Sequence, residues 1–126
     1  MSELQVEISL SSSGGTVFRP GETLSGVAKW SLDRDVKSIE VRLFWFTRGK
    51  GTQDVEIVDR ITFDAPPRTD EHPFSFVLSE APYSFNGTLI SLTWAIEMVA
   101  KGVDPARNEF ILSPFEREID LTTTST

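Results

Sequence analysis

A chain of 126 residues is the length of one domain, long enough to bury about two-thirds of its unfolded surface around a single core. It has no cysteine and one histidine, which excludes a disulfide framework, a Cys-based zinc site and a His-rich metal centre. Nineteen acidic against twelve basic residues leave a formal charge of −7, which argues against general nucleic-acid affinity because phosphate contacts need a basic surface. Met1 to Glu7 lacks a basic start and an apolar stretch of signal length, and no segment approaches the roughly 18 apolar residues of a membrane span. The expectation is a cytoplasmic protein with no integral membrane segment and no nucleic-acid partner.

Alternation with period two begins at once. Leu4, Val6, Ile8 and Leu10 face one way, and Gln5, Glu7 and Ser9 the other. Ser11 to Gly15 interrupts this first strand. In Arg19-Pro20-Gly21-Glu22, proline presets φ near −65° and glycine supplies the positive φ of a type II turn. A long strand follows, with Leu24, Gly26, Ala28, Trp30 and Leu32 on its buried face and Thr23, Ser25, Lys29 and Ser31 on its wet one. Past the charged loop at Asp33 to Asp35, a third strand carries Ile39, Val41, Leu43 and Trp45 inward, with Glu40, Arg42, Phe44 and Phe46 outward.

Thr47 to Thr52 reads as a glycine-rich hairpin loop, after which Val55, Ile57, Ile61 and Phe63 alternate with polar positions. An antiparallel register whose opposed numbers sum to about 100 sets Glu40 against Arg60 and Phe44 against Glu56. That register also turns Asp59 toward the core beside Val41, a conflict that a β-bulge at Val58-Asp59 resolves. Ala65 to Glu71, with Pro66-Pro67, reads as a loop before a short strand containing Phe74, Phe76 and Leu78. The apolar face Ile90, Leu92, Trp94, Ile96, Met98 and Ala100 belongs at the centre of a sheet. Phe110 and Leu112 mark another strand, and Phe115 to Leu121 closes the domain.

No segment holds a helical period. The pattern predicts an all-β, antiparallel, immunoglobulin-like sandwich spanning residues 1–121, with a flexible C-terminal tail at 122–126.

Two blocks carry a family resemblance. Phe18-Arg19-Pro20-Gly21-Glu22-Thr23-Leu24-Ser25-Gly26-Val27 resembles the early signature of the arrestin family, an aromatic and a Pro-Gly turn ahead of an alternating strand. Phe74-Ser75-Phe76, Pro82-Tyr83-Ser84-Phe85-Asn86-Gly87 and the strand from Ile90 resemble that family's Phe-x-Phe strand, its Pro-x-Ser-aromatic-x-Gly loop and its central strand. The resemblance implies an arrestin-like sandwich the size of half an arrestin, a non-enzymatic adaptor or scaffold module. A receptor-phosphate sensor and a clathrin-binding tail are not found in the sequence, so neither activity is carried over. A second such sandwich could come from another chain.

The residues offer little chemistry. A Ser-His-Asp arrangement would have to use His72, which sits at a loop end before a strand and reads as a structural, exposed histidine. Asp54, Glu56 and Asp59, or Glu116, Glu118 and Asp120, are spaced as the solvent face of a strand. Asp33 with Asp35, or Asp70 with Glu71, could hold calcium, but Arg34, Lys37 and Arg68 stand beside them. The Arg48-Gly49-Lys50-Gly51 run lacks the spacing of a phosphate loop. No catalytic residue, cofactor or metal is expected.

The candidate protein-contact patch is Arg42, Phe44, Phe46 and Val58, two outward rings rimmed by Arg42, Arg60, Asp54 and Glu56. Its partner is expected to be a protein, including a second copy in a homodimer, bound through a sheet face or edge. Two other readings stay open: a sandwich binding a small ligand or carbohydrate, and a homo-oligomeric structural protein. Trp30, Trp45 and Trp94 all fall on core faces, which counts against a sugar platform.

Overall fold

The alternating segments fold as strands in the computed structural model, which describes residues 1–9, 16–49, 53–87, 90–115 and 119–120. In chain order they are β1 (Glu3–Ile8), β2 (Val17–Phe18), β3 (Thr23–Ser31), β4 (Ser38–Gly49), β5 (Val55–Asp64), β6 (Thr69–Val77), β7 (Phe85–Asn86), β8 (Ile90–Ala100), β9 (Val103–Leu112) and β10 (Ile119–Asp120). A three-stranded sheet runs β1-β3-β6. The larger sheet runs β10-β7-β8-β4-β5, with β9 on β8 and β2 on β9. Leu10, residues 11–15 and 50–52, Glu116, Glu118, Leu121 and the expected tail at 122–126 lie outside the described residues.

The two sheets pack face to face. Leu24, Ala28 and Trp30 of β3 and Phe74 and Phe76 of β6 meet Ile39, Val41 and Leu43 of β4 and Trp94, Ile96 and Met98 of β8, all buried. Each large apolar side chain so buried contributes about 1.5–3 kcal/mol relative to exposure. The two buried indoles keep their N–H groups satisfied: Trp30 Nε1 donates to the Pro67 carbonyl at 2.8 Å and Trp94 Nε1 to the Pro82 carbonyl at 2.7 Å. Ser84 is fully buried where its hydroxyl accepts from Leu112 N at 2.9 Å.

The early turn has the expected form. Gly21 sits at φ +79°, and Glu22 N donates to the Arg19 carbonyl at 3.0 Å. Gly26 serves a different purpose: a Cβ there would overlap the Glu7 carbonyl and come within 2.6 Å of Phe74 Cζ, so only glycine lets β1, β3 and β6 close up.

Three expectations are corrected. The sandwich is not wholly antiparallel, because β2 runs parallel to β9 and β10 parallel to β7. β6 begins at Thr69, inside the expected loop, since pairing with β3 extends from Thr69 opposite Ser31 to Val77 opposite Thr23. Pro73 is tolerated in it because β6 is an edge strand. The β4-β5 register is also shifted: Arg42 rather than Glu40 opposes Arg60, and Phe44 opposes Ile57. The register slips between Leu43 and Phe44, where Asp59 and Ile57 flank an unmatched Val58, which is the expected bulge.

Candidate functional site

On the outer face of the large sheet, β4 and β8 place Phe44, Phe46 and Ala95 in a small apolar cluster separate from the main core. The two rings stack at 5.9 Å between centroids with planes 28° apart. They are not an exposed patch, as the alternation alone suggested. Phe44 and Phe46 are only 5% and 6% exposed.

What covers them comes from β9 and the end of β4. The Arg107 guanidinium lies 5.1 Å from the Phe44 ring and 5.2 Å from the Phe46 ring, and that of Arg48 lies 4.8 Å from Phe46. A guanidinium stacks on an aromatic face because the ring's quadrupole presents negative charge there. Each is steered by a carboxylate: Arg107 donates to Glu97 Oε2 at 2.9 Å, and Arg48 lies 3.7 Å from Glu109. The result is a shallow recess of about 310 Å³ with an aromatic floor, cationic walls and an apolar rim at Val55 and Ile57.

Of the expected patch, the structure brings Arg42, Phe44 and Phe46 together and leaves Val58 out. Val58 is the unmatched residue of the bulge, 40% exposed but not lining the recess. The rim also differs. Glu56 opposes Trp45 on the other face, and Asp54 closes the hairpin by donating its N–H to Thr47 Oγ1 at 2.9 Å. Arg42 and Arg60 both turn to Glu40, at 2.6 and 3.7 Å. Sequence reasoning missed Arg107, Arg48, Val55 and Ile57. The signal lay in Arg107-x-Glu109, two charges on one face of a strand that then has to oppose Glu97 and Ala95.

Of the catalytic and metal candidates, His72, Asp33, Asp35, Asp70 and Glu71 each make structural contacts. His72 lies within β6, its ring stacked on Trp30 at 5.5 Å and on Phe63 at 5.1 Å, with Nε2 3.0 Å from Asp70 Oδ2. It braces the side of the sandwich where β5 and β6 come together. Asp33 accepts from Ser2 Oγ at 2.7 Å, and that hydrogen bond, ahead of the terminal ammonium, holds its carboxyl below the usual range. Asp35 pairs with Arg68 at 3.1 Å and Glu71 with Lys29 at 3.5 Å. Among the described residues, no group of three or more His, Asp or Glu side chains is placed to hold a metal ion. No helix among them is long and apolar enough to cross a membrane.

No family model matches the chain, and no curated protein does. Among solved structures it is similar to Spo0M, the sporulation control protein of Bacillus subtilis, which has an arrestin-like fold. That match has a TM-score of 0.56 at 15% identity and covers 89% of this chain and 49% of Spo0M. The fold is arrestin-like. The arrestin-like sandwich described here therefore spans about half the length of Spo0M. A β-glucosidase from Listeria innocua in complex with gluconolactone also aligns, with a TM-score of 0.46 at 14% identity, over 94% of this chain and 16% of that one.

Proposed function

We propose that this arrestin-like module is a non-enzymatic adaptor that binds a protein partner on the outer face of its large sheet, beside β5. The observation that carries the reading is an apolar strip on that strand: Val55 and Ile57 are 65% and 37% exposed, flush with the guanidinium-covered rings. An exposed apolar strip with arginines around it has the composition of an interface core and its rim.

The face is favoured over the edge. β5 pairs only with β4 among the described strands, but its bulge and Asp59 blunt the free edge against strand addition. The small-ligand and carbohydrate readings lose support because Trp30 and Trp94 are buried and already hydrogen-bonded. A cytoplasmic setting belongs to the same reading, since a chain without cysteine needs no oxidising compartment. The regulatory role in Spo0M's description is compatible with an adaptor.

Because Phe44 and Phe46 are buried, replacing them tests the fold, so the functional test falls on the strip. Capture from native lysate is expected to enrich a partner with the wild-type protein and to lose it with the folded Val55→Ser/Ile57→Ser variant. Equal recovery by both forms would refute this face as the docking surface.

A further inference from the structure

A second recess opens where the 32–37 loop between β3 and β4 meets the Lys101-Gly102 turn between β8 and β9. It is open to solvent with a volume of about 850 Å³, and among the described residues its charged lining is four cations, Arg34, Lys37, Arg42 and Lys101, against two carboxylates, Asp35 and Glu40. Both carboxylates are already engaged. Asp35 accepts from Arg68 Nε at 3.1 Å, and Glu40 holds Arg42 at 2.6 Å and Arg60 at 3.7 Å. Arg34 Nη2 donates to the Lys101 carbonyl at 3.1 Å, a bond that ties one loop to the other without neutralising any charge. Gly102, at φ +78°, leaves the space for it, because a Cβ there would overlap that guanidinium. Among the described residues, neither the Lys37 nor the Lys101 ammonium has a carboxylate partner. A chain of charge −7 thus gathers two lysines without a carboxylate partner, Lys37 and Lys101, beside Arg34, whose own neighbour is Asp33, over a floor that includes Val36, Val99 and Ala100.

We infer that this recess receives an acidic stretch of the partner polypeptide, an inference that rests on reading the outer face of the large sheet as the docking surface. Arg42 lines both recesses, so a segment with an apolar residue beside Ile57 can lay its carboxylates against Lys37, Arg34 and Lys101. Electrostatic complementarity of this kind fixes orientation and register as well as raising the on-rate. A nucleic acid is a poorer occupant on two counts. Among the described residues no aromatic side chain lines the recess to stack a base, and the acidic remainder of the chain repels a polyanion that extends past a short contact. The volume and the spread of the cations over two loops suit several carboxylates on a flexible chain better than one compact anion.

The test is an NMR titration of the isotope-labelled protein with a peptide of about six glutamates, with an oligolysine peptide and inorganic phosphate run in parallel, in low salt and in about 0.5 M salt. Expected are saturable shifts confined to residues 34–42 and 99–102, abolished by salt and absent with oligolysine. The Lys37→Glu/Lys101→Glu variant should bind the peptide about tenfold or more weakly. Shifts that do not saturate, that fall elsewhere or that survive the charge reversal would overturn the inference. So would inorganic phosphate binding as tightly as the peptide, which would make this a small-anion site. The two readings fail separately. A negative titration beside capture that depends on Val55 and Ile57 removes only the acidic segment, and a positive titration beside capture indifferent to them removes only the sheet-face reading.

Discussion

The two outer faces of the sandwich follow the same alternation and come out differently where Lys29 and Glu71 sit on one and Phe44 and Phe46 on the other. On the three-stranded sheet the alternate positions at one end hold Glu3, Gln5, Lys29, Ser31, Thr69 and Glu71, with Lys29 and Glu71 paired across strands at 3.5 Å, and apolar side chains enter the same face only further along, at Val27, Pro73 and Val77. On the large sheet the same alternate positions hold Phe44, Phe46 and Ala95, which water cannot be left to cover, and a layer of guanidiniums closes over them. Period two decides which way a side chain points; the residue type decides whether that direction needs a cover. Where the cover stops, at Val55 and Ile57, the face is left with apolar surface to offer.

That contrast can be broken most directly at its centre. Phe44→Ala is expected to cost about 2–4 kcal/mol in urea unfolding, as a buried ring does, whereas Lys29→Ala on the opposite face should stay within about 0.5 kcal/mol. A small effect at Phe44 would mean that the guanidinium layer does not exclude water. The three-stranded sheet has its own sensitive point in Gly26, where alanine should cost about 1–3 kcal/mol because β1 and Phe74 crowd the position. Gly21→Ala should cost on the order of 1 kcal/mol, since φ is +79° and the Glu80 carboxylate would stand 3.1 Å from the new Cβ. A neutral or stabilising result there would contradict the type II turn.

Removal of the roof is a smaller change. Arg107→Ala should lower stability by about 0.5–1 kcal/mol and raise the solvent accessibility of Phe44 and Phe46, read by oxidative footprinting, with Arg107→Lys falling between. The smallest effect concerns pH. The folded carboxyl of Asp33 titrates below its usual range, chiefly through Ser2, so its contribution to stability is present above the unfolded value and is lost as pH falls through the folded one. Ser2→Ala should move the Asp33 titration upward in an NMR pH series.

Much of this fold was legible because each strand announces itself locally. The β3 face, the turn at Gly21 and the central strand β8 need only near neighbours to be read. Even the bulge at Val58 could be inferred, from the conflict that Asp59 sets up in an unbroken alternation, although Asp59 itself still opposes the inward Leu43. What stayed hidden depends on pairings distant in sequence. Nothing near Phe44 shows that Arg107 will lie over it, because the β8-β9 register that opposes Arg107 to Glu97 sets that contact. The parallel β2-β9 and β7-β10 pairs are hidden for the same reason, each a two-residue match between distant segments. The rings of the candidate patch therefore lie on the outer face but are buried there, Val58 stands apart at the bulge, and the exposed apolar residues beside the rings are Val55 and Ile57 of β5.

The measurement that tests the central claim most directly is photo-crosslinking in native lysate, with one photoreactive residue replacing Ile57 on the large sheet and, in a second protein, Lys29 on the small one. A discrete heavier adduct from position 57 and none from position 29 is the predicted result. An adduct from position 29 alone, or the same products from both positions, would contradict the assignment of partner binding to the large sheet's outer face.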